Sequence, residues 1–344
     1  MRAAIIEKIG DPLVITEIED PQAGPNELVI KVKACGVCGS DLHATEKHAP
    51  MPFPKGTVMG HEFAGEVYEV GSELKGKWKV GERLTALPYI SCGNCKSCIA
   101  GKREQCRQLR TTGLGDIPGG YAEYTKVGAF ESIRLPDNVS YHEGASVEPL
   151  SVALHAVKKS NLQAGEDVLI IGAGPIGLAL AQWCRFFGAR NIIISEKAAG
   201  RLKLTEQFGV TDVIDASKES NVAGSFKKFT GSSPKVVFEA VGVPGLLQEC
   251  IGLAARGGRI ISVGACMKPE TFMPIIATMK EVQINFVLAY NKEDFEFCVA
   301  MLNTERVVAE TMITDIITLN SLPDAFEALR TPTTQCKVIV EPFA

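Results

Sequence analysis

No apolar run in this chain of 344 residues approaches the roughly 20 residues that span a bilayer. Stretches such as Val168–Ile171 and Ile192–Ile194 are short, so no transmembrane segment is expected. A basic excess is missing too. Lys and Arg number 36 against 40 Asp and Glu, a net charge of −4, which argues against a large nucleic-acid footprint. Met1–Gly10 lacks the apolar core of a signal peptide and reads as a strand, so the expected compartment is the cytoplasm. Internal repeats and low-complexity linkers are absent as well. Cysteine is abundant, at 11 residues. An odd, high count without an export signal argues against a disulfide framework and asks for buried thiols or metal ligands. The length suggests about two domains at roughly 150 residues each.

The first 150 residues read as short strands and Gly/Pro turns, with alternating patterns at Leu28–Lys33 and Phe63–Val70. This is a β-rich domain with a Cys-rich loop inside it. The rhythm then changes. Ser151–Ser160 reads as a helix, Val168–Ile171 as a strand, Ile176–Phe187 as a helix, Asn191–Ser195 as a strand and Arg201–Phe208 as a helix. Strand candidates follow at Asp212–Ile214, Lys235–Glu239, Arg259–Val263 and Ile284–Leu288. Short, two-sided apolar strands alternating with helices predict an α/β domain with a doubly wound parallel sheet. In the tail, Lys292–Leu302 and Leu322–Leu329 read as helices and Lys337–Val340 as a strand, and the tail is expected to return to the first domain. The expected division is 1–155, 156–290 and 291–344.

Gly172-Ala173-Gly174-Pro175-Ile176-Gly177 follows a strand and opens a helix. In that context Gly172 allows a tight turn, Gly174 lets a pyrophosphate approach, and Gly177 lets helix and strand pack closely. The helix N-terminus offers unpaired N–H groups to phosphate, and Pro175 sits where a missing donor costs nothing. Glu196, 19 residues after Gly177, can accept from both ribose hydroxyls and repel a 2′-phosphate, which favours NAD over NADP. Lys197 and Arg201 pull the other way, because a nearby Arg suits a 2′-phosphate.

Cys92, Cys95, Cys98 and Cys106 follow a C-x2-C-x2-C-x7-C spacing. Four thiolates on one loop of residues 90–108 can surround a tetrahedral zinc, although related spacings also hold iron–sulfur clusters. A site saturated by protein ligands cannot bind substrate, so it is structural. The remaining polar candidates are dispersed: Cys38, Ser40, Asp41, His43, His61, Glu62 and Glu148. Cys35 with Cys38 mimics a redox pair, but no helix pattern begins at Cys38 to lower its pKa. A catalytic zinc needs about three protein ligands and an open position, and Cys, His and Glu are available. Zinc there would act as a Lewis acid on an alcohol. A hydroxyl (Ser40) handing to an imidazole (His43) would carry the proton away, and Asp41 could orient the His61 ring.

The runs G-H-E-F-A-G at Gly60–Gly65 and C-G-x-C-G-S-D-x-H at Cys35–His43 resemble the zinc-containing medium-chain dehydrogenase/reductase family, as do the four-cysteine lobe and the glycine loop. The resemblance covers essentially the whole chain. It implies a GroES-like catalytic domain completed by the C-terminal segment, with a Rossmann NAD-binding domain between. It implies Cys38 and His61 as ligands of a catalytic zinc, with Glu62 or Glu148 as a further ligand, and Ser40 and His43 as the proton relay. Gly172, Gly174, Pro175, Ile176 and Gly177 would then cradle the pyrophosphate. Glu196 and Arg201 would flank the adenosine ribose, Val263 and Gly264 the nicotinamide, and Lys337 the pyrophosphate. Glutamate at position 148 is similar to the butanediol, polyol and threonine dehydrogenase branch. The apolar stretch Asn285–Tyr290 points first to a secondary alcohol or vicinal diol and its ketone, then to a polyol, then to a threonine-type substrate. Alternatives outside enzymology are a nucleotide-binding protein without chemistry and a zinc-lobe protein that binds nucleic acid. The expected partners are a small-molecule substrate and further copies of the chain, as a homodimer or homotetramer, with neither nucleic acid nor membrane.

Overall fold

The computed structural model describes residues 1–50, 53–331 and 334–344. The chain forms two compact units. One comprises Met1–Glu148, Asn291–Pro332 and Lys337–Ala344; the other comprises Pro149–Tyr290 with Thr333–Cys336. The border lies inside the helix Tyr141–Ser160, which begins well before the expected Ser151 and carries Pro149 within it. Packing overrides the proline there: Val147, Leu150, Ala153 and Leu154 are all essentially inaccessible.

The first unit is built on a seven-stranded sheet. Strand Glu27–Gly36 is its spine, antiparallel to Glu62–Val70 on one side and to Tyr124–Gly128 and Lys337–Glu341 on the other. The tail strand Lys337–Glu341 in turn pairs parallel with Ile313–Thr318. A core of Leu28, Ile30, Val32, Phe63, Tyr121, Leu322 and Phe326 fills one face. Alternation explains the polar intervals: Lys31 and Lys33 point outward between buried Ile30, Val32 and Ala34.

The second unit meets the doubly wound expectation. Six parallel strands lie in the order Asp212–Asp215, Asn191–Glu196, Asp167–Ile171, Val236–Glu239, Arg259–Ser262 and Gln283–Phe286. Numbered along the chain within this sheet, that order is 3-2-1-4-5-6, which reverses direction between Asp167–Ile171 and Val236–Glu239. Ligands bind such sheets beyond the carboxyl ends of the strands at that switch point. Asp167–Ile171 is buried throughout, as a strand covered on both faces must be. The expected helix over Arg201–Phe208 is instead one α-turn, Ala199–Leu202, followed by a 3-10 stretch, Lys203–Gln207. Only Thr205 of that stretch is buried, so little packing holds it in α-form.

Candidate functional site

The glycine loop sits at the switch point. Gly172 has φ +103°, a conformation open to glycine, and a Cβ there would lie 2.8 Å from Val241 Cγ2. Gly177 is needed for close approach, because a Cβ would lie 2.0 Å from the Gly172 carbonyl oxygen. Gly174 has nothing closer than Arg201 at 3.9 Å from its would-be Cβ, so its face stays open. Pro175 occupies the first turn of helix Pro175–Phe186, with Ile176 half-buried beside it. The Glu196 carboxylate accepts from Ala173 N at 2.8 Å, Lys197 N at 2.6 Å and Ala198 N at 2.8 Å. One of its roughly four acceptor sites thus holds the glycine loop, and two hold the backbone just after its own strand. Arg201 Nε donates to the Gln335 carbonyl.

Sequence reasoning missed one residue at this switch point. Glu239, 4% exposed, ends its strand and accepts from Val241 N at 2.8 Å and Gly242 N at 2.7 Å. Its backbone carbonyl takes the N–H groups of Val263 and Gly264, both at 2.9 Å. A Cβ on Gly264 would meet Glu239 Oε2 at 2.8 Å and Gly242 N at 2.2 Å, so the two strand ends touch backbone to backbone. A buried carboxylate directly after the apolar run Val236–Phe238 was the available signal.

The four-cysteine lobe is closed. Its Sγ–Sγ distances are 3.5 Å for Cys92–Cys106 and Cys95–Cys98, and 3.9 Å for Cys92–Cys98 and Cys95–Cys106. A tetrahedron with metal–sulfur bonds of about 2.3 Å has edges of about 3.8 Å, so the four thiols fit a zinc ion. Backbone N–H groups point at the sulfurs: Cys92 N and Gln108 N each donate to Cys106 Sγ at 3.4 Å. The backbone N–H of Cys98 and the neighbouring thiols hold Cys95 down to about 6, whereas burial pushes Cys98 up to about 11.

The second cluster is assembled from distant segments. Cys38 caps a six-residue helix, Gly39–Ala44, that the sequence pattern did not reveal. Strand Glu62–Val70 begins immediately after His61. Together they bring ligand atoms of Cys38, His61 and Glu62 within 4.8 Å of one another. Glu148, 8% exposed on the helix Tyr141–Ser160, is not part of that group. His61 Nδ1 lies 3.2 Å from Asp41 Oδ1, and both atoms are buried without another partner. A ring oriented this way by a carboxylate leaves Nε2 for a metal, so the donor set suits zinc. Burial disfavours a charged His61 ring, but Asp41 and Cys38 outweigh it and raise its pKa well above the ordinary value. Tyr121, fully buried, donates to Asp41 Oδ2 at 2.6 Å and extends the chain inward, a residue the sequence did not single out.

Several expectations need correction. Ser40 Oγ donates to Cys38 Sγ at 3.2 Å, while His43 Nδ1 meets Glu46 Oε1 at 2.8 Å, so the two relay candidates are not joined to each other. Lys337 does not present a free ammonium to a phosphate. It is 2% exposed, and its Nζ donates to Glu62 Oε1, Glu62 Oε2 and the Val37 carbonyl. Cys35 is inaccessible and burial drives its pKa well up, in keeping with the expectation that it is no redox partner of Cys38, although a helix does begin at Cys38. Most of the other thiols are buried, but Cys266 is half-exposed. In the Asn285–Tyr290 stretch, Phe286 at the end of the edge strand is 74% exposed and Leu288 beyond it 91%, whereas Tyr290 is buried. Among the described residues, no helix is long and apolar enough to cross a membrane.

Comparison with known proteins agrees with this geometry. Residues 24–137 match the alcohol dehydrogenase GroES-like domain and residues 175–304 match the zinc-binding dehydrogenase domain. L-threonine 3-dehydrogenase of Serratia proteamaculans is 32% identical over 96% of both chains. The crystal structure of 2R,3R-butanediol dehydrogenase from Bacillus subtilis superposes with a TM-score of 0.87, at 32% identity over 99% of both chains. An alcohol dehydrogenase from Escherichia coli, solved with NADH, superposes with a TM-score of 0.88 at 29% identity over 99% of both chains. Two metal clusters of different character, a dinucleotide fold and these likenesses converge: the chain belongs to the zinc-containing medium-chain dehydrogenase/reductase family and is a zinc-dependent, NAD-linked oxidoreductase of an alcohol–ketone pair.

Proposed function

We propose that the substrate is an uncharged secondary alcohol or vicinal diol, oxidised to its ketone or formed from it. The observation that carries this is the commitment of two cations packed against the Cys38–His61 segment. Lys337 is tied to Glu62, and Arg330 is tied to the Leu42 carbonyl, Thr45 Oγ1 and Glu327. An amino-acid carboxylate would call for a free cation there. The likeness to butanediol dehydrogenase supports the same reading. A threonine-type substrate is the third reading, supported by the identity to L-threonine 3-dehydrogenases. Polyols come between the two on chemical grounds.

In this reading Cys38 and His61 hold the catalytic metal, with Glu62 or Glu148 completing the set as needed. Bound zinc would supply a Lewis acid at the alcohol oxygen, and bound NAD would supply the hydride acceptor. Asp41 fixes the tautomer of His61. Ser40 takes up the hydroxyl proton, and His43, whose half-exposed ring is bonded to Glu46 rather than to Ser40, would pass it to solvent once that ring turns from Glu46 to the Ser40 hydroxyl. Gly172, Gly174 and Gly177 admit the pyrophosphate, Glu196 accepts from the adenosine ribose, and Val263 and Gly264 border the nicotinamide. An NAD-coupled absorbance screen tests the substrate. Butanediol and simple secondary alcohols should exceed polyols, and polyols should exceed threonine; a leading threonine rate reverses the order.

Further copies of the chain are the expected partner. The edge strand Gln283–Phe286 and the neighbouring Ile275, Met279 and Leu288 leave an exposed apolar margin suited to pairing across a two-fold axis. Leu288→Lys should lower the mass measured by light scattering if that margin is the interface. The eleven thiols, none in a disulfide, fit a reducing compartment such as the cytoplasm.

A further inference from the structure

In the second unit, one segment grips both ends of the helix Leu246–Leu253. The chain leaves strand Arg259–Ser262, passes Val263 and Gly264, and runs on to Lys280, the last residue of the helix Pro274–Lys280. On the way it fastens to Leu246–Leu253 at three places. The two oxygens of the Glu270 carboxylate accept the N–H of Gly245, the residue that caps that helix, at 3.0 Å and 2.9 Å. Gln248 Oε1 accepts from Met273 N at 2.6 Å. Lys280 Nζ donates to the carbonyls of Ile251 at 3.1 Å and Ala254 at 2.9 Å, and to that of Gly252. An anion thus meets the positive end of the helix dipole and a cation meets the negative end.

The near end of this segment is held sparsely. Gly264 N is bonded to the Glu239 carbonyl. Beyond it, the bonds of Cys266 run to the carbonyls of Gly264 and Lys268 and stay inside the segment. Among the described residues, the next hydrogen bond to anything outside is that of Glu270. Packing there is backbone on backbone: Gly242 has φ +77°, and a Cβ on it would lie 2.6 Å from Ala265 N. Residues 265–269 are therefore suspended between Glu239 and Glu270. Gly245 is exposed and Glu270 half-buried, so the bond between them adds little to the stability of the fold. We infer that Glu270 is a positioning residue for the cofactor, which holds residues 263–269 in the conformation that receives the nicotinamide. The inference rests on the reading that Val263 and Gly264 border the nicotinamide. Without the carboxylate the suspended residues sample other conformations, and affinity falls with the fraction that remains competent. The ADP half, which the glycine loop and Glu196 receive in the same reading, is unaffected.

The test compares NADH with ADP-ribose, which lacks the nicotinamide, by titration of the zinc-loaded protein. Amide exchange over residues 265–273 of the cofactor-free protein is the second readout. Glu270→Ala should raise the NADH dissociation constant on the order of tenfold and leave ADP-ribose binding as it was. Exchange over 265–273 should quicken, and KM for NAD should rise by more than kcat falls. Glu270→Gln keeps an acceptor for Gly245 N and should restore wild-type binding and exchange. Lys280→Met frees only the far end, so it should lower the thermal midpoint and keep the ratio of NADH to ADP-ribose affinity. Wild-type NADH binding in Glu270→Ala overturns the proposal, as does an equal loss of both ligands. A shifted ratio in Lys280→Met also overturns it, because any loosening of the helix would then suffice. Should Glu270→Ala fail to fold, Gln248→Ala, which releases Met273 N, decides by the same ratio. Val263→Phe separates the two readings. If it leaves the ratio unchanged, the nicotinamide placement falls and the role of Glu270 with it. If the ratio shifts while Glu270→Ala behaves as wild type, only the role of Glu270 falls.

Discussion

The two metal clusters of the first unit differ in how the chain builds them. The four-cysteine lobe is local: every ligand comes from one short loop, and backbone N–H groups of the same loop point at the sulfurs. The Cys38–His61–Glu62 cluster is global. It requires a strand register, a short helix and the tail strand that brings Lys337. A local closed site can act as a staple, and its loss is read as lost stability. A global open site is held in place by the fold, and its loss is read as lost chemistry.

The largest expected effect breaks the open site. Cys38→Ser should reduce kcat/KM by about 10³-fold or more. Lewis-acid stabilisation is worth several kcal/mol, and each ~1.4 kcal/mol is a factor of ten. The thermal midpoint should move little, and zinc content should fall from about two to about one per chain. A variant that keeps turnover while losing one zinc contradicts the contrast.

Cys95→Ser attacks the closed site and should invert the pattern. Losing a ligand of a structural zinc should cost about 3 kcal/mol or more. At roughly 2–4 °C per kcal/mol for a unit of this size, the midpoint should fall by about 6–12 °C. Protein assayed well below that midpoint should retain much of its kcat. Equal losses of kcat and stability in both variants would dissolve the distinction.

This contrast also explains what could be read beforehand. The lobe was legible because spacing is a property of sequence. The six parallel strands were legible because strands buried on both faces leave unbroken apolar runs, as in Val168–Ile171 and Ile192–Ile194. Cys38, His61 and Glu62 were separable from the background only by combining them with the resemblance to a family, because their proximity is created by register. The same limit applied to Lys337, whose position follows from its own ladder with Glu27–Gly36. The helix Gly39–Ala44 escaped because it is too short to show a period. Composition did not reveal that Phe286, at the end of its strand, and Leu288, beyond it, are exposed, because it does not say which way a residue faces.

A smaller effect probes how deeply the fold supports the open site. Tyr121→Phe removes the hydroxyl that donates to Asp41 Oδ2 and leaves the ring in its packing against the core. Asp41 then has one bond fewer to fix it, and the orientation of His61 loosens. The expected cost is about 1–2 kcal/mol of stability for a buried acceptor left short of a donor, with zinc held about tenfold less tightly. Chelator competition on the variant measures the second quantity. An unchanged zinc affinity would end the support chain at Asp41.

The smallest effect lies beside the closed site. Glu131, 2% exposed, accepts from Ser91 N and Ser91 Oγ, immediately before Cys92. Burial raises its pKa, with Ser91 and Arg103 only partly offsetting that. A carboxyl whose folded pKa lies above its unfolded value binds its proton more tightly in the folded state. Stability is therefore greatest below the unfolded pKa and falls as pH rises through the folded one, by less than about 1.4 kcal/mol per pH unit. Glu131→Gln keeps the acceptor for Ser91 and removes the charge. Its thermal midpoint should stay level across the pH range in which the wild type declines, and its kcat at neutral pH should equal that of the wild type. A parallel decline in both proteins would mean that the carboxyl titrates alike folded and unfolded. The Ser91–Glu131 contact would then brace the lobe through geometry alone, without an electrostatic cost.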